Sequence, residues 1–222
     1  MKGLAAIATP EDFARTFGVS RETIERLETY EGLLRQWQKT INLVAPSTLP
    51  DIWHRHFADS AQLLALAPPN AERWLDLGSG AGFPGLVLAI LLAERGVGRM
   101  TLIESDTRKA AFLAEVARRV GVAVDIRGTR IEKSATQDKL GAVDIVTARA
   151  LAPLPRLLEL SAPFFSGPTI GLFLKGREAE AEVEAAKKLW DFSSELHPSL
   201  TDAGGRIVVI RALNAKTEGH AR

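Results

Sequence analysis

Short apolar runs alternate with longer amphipathic stretches from residue 74 onward. Six runs have the length and apolar character of buried strands, at residues 74–77, 100–104, 123–127, 143–148, 169–175 and 207–211. Stretches with helical spacing separate the first five. This alternation predicts an α/β fold, in which a mostly parallel sheet carries helices on both faces. Residues 191–198 are predicted as a further strand that pairs antiparallel with residues 206–211.

The first third of the chain has helical periodicity instead. Thr9 followed by Pro10 is typical of a helix start, and a second start at Ser20 precedes an apolar stripe with helical spacing up to residue 37. A further helix is predicted over residues 52–60, and a Pro-Pro-Asn joint follows at residues 68–70. We therefore predict a helical extension over residues 1–67 and a sheet domain over residues 68–222, together forming a single structural unit.

Three glycines at alternate positions, Gly78, Gly80 and Gly82, follow the first predicted strand, and Pro84 then opens an apolar helix-like stretch. Glycines suit a turn that visits positive φ angles and a backbone that a ligand must approach closely. The loop at residues 78–84, called the glycine loop below, is therefore predicted to bind a small molecule.

Two classes of ligand fit this loop. Residues 80–85 satisfy the G-x-G-x-x-G pattern of dinucleotide sites, with Glu104 at a suitable distance to bind a ribose, which leaves a nucleotide-dependent oxidoreductase open. Against a pyrophosphate, Asp76 would bring a negative charge, and Pro84 removes an N–H from the start of the helix. A carboxylate suits the ammonium and sulfonium of S-adenosylmethionine better, so Asp76 and Glu104 are predicted to bind that cofactor.

The composition sets limits on partners. The chain has 222 residues, a formal net charge of +1 and no cysteine, so disulfides, thiolate metal sites and a cysteine nucleophile are excluded. Any nucleic-acid surface must be a local basic patch. The longest uncharged run, residues 77–93, is interrupted by Gly and Pro, and the N-terminal apolar stretch is short for a signal peptide. We expect a cytoplasmic, monomeric protein without membrane contact.

Charged side chains stand at two further strand ends and in the helical extension. Arg149 and Lys175 end buried strands, where a charge is costly unless it is paired, so each is either a functional residue or part of a structural salt bridge. His54, His56 and Asp59 resemble metal ligands, but their spacing on a helix argues against a metal site. Four polar residues of the helical extension either bind RNA phosphates, as we predict, or form an ordinary solvated surface: Lys39, Asn42, Arg55 and His56.

Several spaced motifs in order resemble one known family. They are W-Q-K-T-I-N-L at residues 37–43, R-H-F-A-D-S at 55–60, D-L-G-S-G-A-G-F-P-G-L at 76–86, I-E-S at 103–105, A-R-A-L-A-P-L at 148–154 and L-K-G at 174–176. Together they resemble the bacterial 16S rRNA (guanine-N7) methyltransferase G family, also called glucose-inhibited division protein B. The resemblance covers residues 37–211 and implies a class I methyltransferase fold with an N-terminal helical extension.

The resemblance also implies a function and a set of contacts. It implies transfer of a methyl group from S-adenosylmethionine to N7 of one guanine in the 530 loop of 16S rRNA, with the rRNA or the small ribosomal subunit as partner. Positions matching Gly78, Phe83, Ile131, Glu132 and Arg149 contact the donor in that family. The family usually has Ser where this chain has Ala148, so a role for that hydroxyl is not carried over.

Guanine N7 has a lone pair and no proton, so the implied reaction needs no general base. Arg149 and Lys175 are accordingly expected to act by positioning and electrostatics. A non-catalytic RNA-binding factor for ribosome assembly remains the alternative from another class.

Overall fold

A single seven-stranded sheet organises the protein. The computed structural model describes residues 6–133 and 140–216. The strands are β1 (Arg73–Leu77), β2 (Arg99–Ile103), β3 (Val124–Arg127), β4 (Ile145–Arg149), β5 (Ile170–Lys175), β6 (Trp190–Pro198) and β7 (Arg206–Ala215). All the predicted strands are present, including the one predicted over residues 191–198.

The strand order is β3-β2-β1-β4-β5-β7-β6. The first five of these are parallel, and β7 pairs antiparallel with both β5 and β6. Because β1 lies between β2 and β4, the winding of the chain reverses at its carboxyl end, where ligands of such sheets bind. Strand β7 continues beyond the predicted end at residue 211, since Ala215 pairs with Trp190.

Besides two short 3-10 turns at Pro46–Thr48 and Ala162–Phe164, seven helical segments accompany the sheet in the described residues. They are α1 (Pro10–Phe17), α2 (Arg21–Trp37), α3 (residues 53–66), α4 (Gly85–Glu94), α5 (Thr107–Val120), α6 (Leu154–Ser161) and α7 (Ala179–Lys187). Segment α3 is continuous but changes type, from a π-helix over Trp53–Ala58 through an α-turn to a 3-10 stretch over Gln62–Leu66. The helix predicted between the third and fourth strands falls partly on residues 134–139, outside the described residues.

Local sequence explains where the first helices begin and end. The side chains of Thr9 and Ser20 accept hydrogen bonds from the first-turn N–H groups of α1 and α2, as their predicted N-cap positions require. Gly18 closes α1 with a φ of 65°, a conformation that glycine adopts without steric cost. The two predicted helix starts are therefore confirmed.

Two apolar layers cover the faces of the sheet. Side chains alternate along β1, so that Trp74 packs in the layer with α2, α4 and α5, whereas Leu75 packs in the layer with α6 and α7. The first layer also contains Tyr30 of α2 and Phe57 of α3, so the extension shares its core with the sheet. We keep the boundary at residue 67 as a proposal about organisation.

Candidate functional site

A cavity of about 410 Å³ opens at the carboxyl ends of β1, β2 and β4. Its walls include seven of the nine residues predicted to bind the cofactor: Gly78, Gly80, Phe83, Glu104, Ile131, Glu132 and Arg149. Leu43 and Val44, from the connection after α2, complete one side. The sheet edge and the helical extension therefore build this first cavity together.

Gly82 does not line the first cavity, although it belongs to the glycine loop. Its φ is 92°, and a Cβ there would overlap the Tyr30 hydroxyl and lie 2.8 Å from Leu86 Cβ. Close packing against the extension therefore requires glycine at position 82, and the predicted contact of Gly82 with a ligand stays a prediction. Gly80 has a φ of 56°, and a Cβ there would meet no atom closer than 3.8 Å, so this position leaves room at the cavity wall.

Asp76 also does not line the first cavity, and its predicted contact with the cofactor stays a prediction. It is fully buried under the loop, where Oδ1 accepts a hydrogen bond from Thr147 Oγ1 at 2.7 Å. Oδ2 lies against Gly85 at the start of α4 and has no well-formed hydrogen bond among the described residues. Burial raises the pKa of Asp76 to about 6, although hydrogen bonds from Thr147 and Ser79 lower it.

Glu104 connects the end of β2 to the glycine loop. Its carboxylate accepts hydrogen bonds from Gly80 N at 2.8 Å and from Asp106 N at 2.7 Å, and the residue is 8% exposed. A carboxylate has about four acceptor positions. Each oxygen of Glu104 therefore keeps one acceptor position, and Glu104 lines the first cavity.

Arg149 ends β4, but its guanidinium is bound by the extension. Nη1 donates to the carbonyl of Arg55 at 3.1 Å and to Asp59 Oδ2 at 3.2 Å, and Nη2 donates to His56 Nδ1 at 2.8 Å. The guanidinium also lies 5.0 Å from the ring centroid of Phe83. Arg149 thus has the structural ion pair considered from the sequence and still reaches the cavity wall.

Lys175 is held in an ion pair at the end of β5. Its ammonium lies 2.6 Å from Glu182 Oε2 and donates to the carbonyl of Ala152 at 2.7 Å. The side chain is 9% exposed. Lys175 therefore has the structural salt bridge considered from the sequence. It does not line the first cavity.

A second cavity, of about 250 Å³, adjoins the first. The two share Arg149 and Ala150 as a common wall. Ala150 has a φ of 53°, which is unusual for a residue with a side chain and is often found at functional sites. Four basic side chains line the second cavity together with Asp59 and Asp202: Arg55, Arg149, Lys175 and Arg206. This cavity suits an anionic ligand.

The predicted RNA contacts separate into two groups. Lys39, Asn42 and Arg55 are exposed, as a phosphate-binding surface requires. His56 is 7% exposed and lies between Phe83 and Arg149, so little of its ring is open to a ligand, and its predicted contact with RNA stays a prediction. Burial, together with the charges of Arg149 and Arg55, lowers the pKa of His56 to about 3.

Sequence reasoning missed the residues that join the extension to the site. Tyr30 donates a hydrogen bond to the carbonyl of Ala81 in the glycine loop, and Thr48 contacts His56. Tyr30 was predicted only as part of an apolar stripe, and Thr48 was not singled out. Their partners lie far away in sequence or on another element, so no local pattern marks them.

Among residues 6–133 and 140–216, no three His, Asp or Glu side chains lie close enough together to hold a metal ion. None of the helices in that part of the chain has both the length and the apolar character needed to span a bilayer.

The strand order, the glycine loop after β1 and the acid after β2 define a class I methyltransferase fold. Similar folds occur in a variant of MtNAS in complex with S-adenosylmethionine (TM-score 0.56, 15% identity, 94% of this chain and 85% of that one) and in the fibrillarin/Nop5p complex (TM-score 0.53, 13% identity, 69% and 80%). At such identities the likeness concerns the fold alone.

Sequence comparison identifies the family within this class. The family profile for rRNA small subunit methyltransferase G (GidB) matches residues 23–218. The chain is 49% identical to the ribosomal RNA small subunit methyltransferase G of Parvibaculum lavamentivorans, over 96% of this chain and 94% of that one. It is 51% identical to the same-named protein of Paramagnetospirillum magneticum, over 92% and 96%. The chain belongs to the rRNA small subunit methyltransferase G family and is a methyltransferase.

Proposed function

We propose that this protein transfers a methyl group from S-adenosylmethionine to N7 of guanine 527, in the 530 loop of 16S rRNA. The names of its relatives specify an rRNA of the small subunit as substrate. The proposal includes the cytoplasm as the location, because bacterial small subunits are assembled there, and a monomer as the acting species.

The first cavity fits the proposed cofactor. Its volume of about 410 Å³ lies in the range typical of small-molecule sites. The free lone pairs of Glu104 suit ribose hydroxyls, and the buried side chains of Phe83 and Ile131 provide apolar surface for an adenine ring. When bound, S-adenosylmethionine supplies an electrophilic methyl group on its sulfonium.

The second cavity fits the acceptor nucleotide. Arg55 is exposed at its edge and suits an RNA phosphate, and Arg206 lies in the same wall. Arg149 has two N–H groups without a partner among the described residues, Nε–H and one on Nη2. A donor on N7 would block the lone pair that must attack, so we propose that Arg149 donates to guanine O6 or to a phosphate.

One observation supports this arrangement above the others: the two cavities meet at Arg149 and Ala150. Methyl transfer needs donor and acceptor in contact and in line, and no group between them has to remove a proton. The chain therefore contributes by orienting both partners. Lys175 supports the second cavity through its ion pair with Glu182 and contributes charge there.

The test uses radiolabelled S-adenosylmethionine and small subunits from a strain that lacks this methylation. We expect label to enter the 16S rRNA and chain cleavage specific for 7-methylguanine to occur at one position. Subunits from a strain that carries the modification are the matched control, and they should accept no label. The unmodified rRNA is tested both as naked rRNA and within assembled small subunits. If neither form accepts label, the non-catalytic assembly factor becomes the better hypothesis.

A further inference from the structure

Within the described residues, every hydrogen bond of the Arg149 guanidinium is to one stretch of α3. That stretch supplies the carbonyl of Arg55, the imidazole of His56 and the carboxylate of Asp59. Arg149 itself is more than ninety residues away in sequence from Arg55 and His56. The sheet thus fixes where the Arg149 backbone lies, and the extension fixes where its charge lies.

The hydrogen bonds around His56 have only one consistent direction. Arginine has donors only, so His56 Nδ1 must accept from Arg149 and the remaining proton of the neutral ring is on Nε2. Nε2 lies 2.8 Å from Thr48 Oγ1, and the Thr48 hydroxyl donates its own hydrogen to the carbonyl of Ala45 at 2.7 Å. The oxygen of Thr48 is therefore free to accept from Nε2–H. The hydrogen bond with Arg149 and the hydrogen bond with Thr48 therefore both require the Nε2–H tautomer of His56.

The flat face of His56 makes a second contact. Its ring stacks on Phe83 with the centroids 4.8 Å apart and the planes 23° apart. Phe83 belongs to the glycine loop and lines the first cavity, and Tyr30 also stacks on it at 5.4 Å. His56 therefore contacts Phe83 in the wall of the first cavity and Arg149, which lines both cavities.

We propose that His56 is a positioning residue: as a neutral hydrogen-bond acceptor held by Thr48, it fixes Arg149 and Phe83 at the boundary between the two cavities. The helical extension is then part of the reactive site and more than a surface for RNA. This inference rests on the proposed function for its catalytic consequence, although the positioning itself does not require any substrate.

The charges around His56 agree with this role. Arg149 and Arg55 are the cations near the ring, and Asp59 is the acid that binds Arg149 from the same helix. Burial and the two cations lower the pKa of His56 to about 3, so the ring stays neutral at physiological pH. A protonated ring would lose its acceptor and place a positive charge against the guanidinium.

The first test measures the tautomer without any ligand. Nitrogen NMR of the cofactor-free full chain should show His56 as the neutral Nε2–H form from pH 5 upward. The Thr48→Val variant keeps the side-chain shape but removes the acceptor of Nε2–H, and the Nε2–H signal should lose its hydrogen-bonded shift. A protonated ring or an Nδ1–H tautomer in the wild-type protein would overturn the proposal.

The second test separates positioning from RNA binding. His56→Leu replaces the ring with an apolar side chain that has no hydrogen-bond acceptor. We therefore expect the single-turnover rate at saturating substrates to fall by about tenfold or more. The RNA dissociation constant should stay within about threefold of the wild-type value. In His56→Gln the amide can accept from Arg149 and donate to Thr48, so this variant should recover most of the rate.

His54→Gln is the matched control, because His54 lies on the same helix and its Nδ1 accepts from the backbone N–H of Ile7 instead. It should react at the wild-type rate. A wild-type rate in His56→Leu, or an equal loss in His56→Leu and His56→Gln, would refute the positioning role. If the wild-type protein methylates no rRNA, the proposed function fails, and the tautomer measurement still decides whether His56 holds Arg149.

Discussion

The sheet edge and the helical extension both build the site, but they use different contacts. The sheet edge acts through the backbone and nearby residues, as when Glu104 binds the N–H groups of Gly80 and Asp106. The extension acts through side chains that reach across the molecule, as when His56 and Asp59 bind Arg149. The first kind of contact leaves a motif in the sequence, and the second does not.

The largest effect should come from breaking the contact between these two regions at Gly82. Ala in place of Gly82 needs a φ of 92° and overlaps the Tyr30 hydroxyl and Leu86. We expect Gly82→Ala to lower the free energy of unfolding by about 4 kcal/mol, from backbone strain and overpacking together. Urea titration measures this.

Gly80→Ala is the control from the same loop, because its Cβ meets no atom closer than 3.8 Å. It should cost only the backbone term of about 1 kcal/mol. Equal losses in the two variants would show that packing of the extension against the loop adds nothing at Gly82.

The two regions should also respond to pH in opposite directions. The pKa of Asp76 is raised to about 6 in the folded state, so its contribution to stability is complete below 3.8 and is lost as the pH rises through 6. The pKa of His56 is lowered to about 3, so its contribution is present above 6.5 and is lost as the pH falls toward 3.

Unfolding of the wild-type protein, Asp76→Asn and His56→Gln between pH 4 and 7.5 tests these signs. Relative to the wild type, Asp76→Asn should gain stability as the pH rises, approaching about 3 kcal/mol over the whole transition. His56→Gln should instead lose stability relative to the wild type over the same range. Slopes of the same sign for both variants would contradict the assigned environments.

Much of the sheet edge was predictable from the sequence because the information is local. Short apolar runs between helix-like stretches predict the strands, and the spacing of Gly78, Gly80 and Glu104 predicts the cavity wall. The burial of Asp76 under the loop was not predictable, because a strand residue can point toward either face and the loop motif does not say which. The burial of His56 was not predictable either, because a histidine in a polar segment gives no local sign that Phe83 and Arg149 cover it.

Glu104 tests the sheet side through cofactor affinity. We expect Glu104→Ala to weaken S-adenosylmethionine binding by about 2 kcal/mol, because charge-assisted hydrogen bonds to the ribose are lost. RNA affinity should change little. Calorimetric titration measures the loss, with Glu184→Ala as a control, since Glu184 pairs with Lys187 on the outer helix α7. An unchanged affinity in Glu104→Ala would show that the ribose binds elsewhere.

Lys39 and Arg55 test the RNA-facing side of the extension. Both side chains are exposed, and replacing Arg55 keeps the backbone carbonyl that binds Arg149. Lys39→Gln combined with Arg55→Gln should reduce the slope of log affinity for rRNA against log salt by about 1.4, because fewer counterions are released. Cofactor affinity should be retained.

The pair Lys187→Gln and Lys188→Gln removes the same charge from α7 and should leave the slope unchanged. An equal change in the two double variants would mean that only the total charge matters. An unaltered slope in the first would make Lys39 and Arg55 ordinary surface residues.

The smallest effect concerns the pH dependence of the chemical step, where we expect almost none. Guanine N7 releases no proton when it attacks, so no side chain needs a pKa near neutrality. His56 stays neutral down to about pH 3, and Asp76 titrates near 6 under the loop, outside both cavities. His54 bonds to the backbone of Ile7, and His197 pairs with Glu195 on the strand at the sheet's edge.

The single-turnover rate should therefore be nearly flat over about pH 6.5–9, and His54→Gln, His56→Gln and His197→Gln should keep that flat profile even where the absolute rate falls. A bell-shaped profile that disappears in one of these variants would require a proton to move in the transition state, and hence an acceptor atom other than N7.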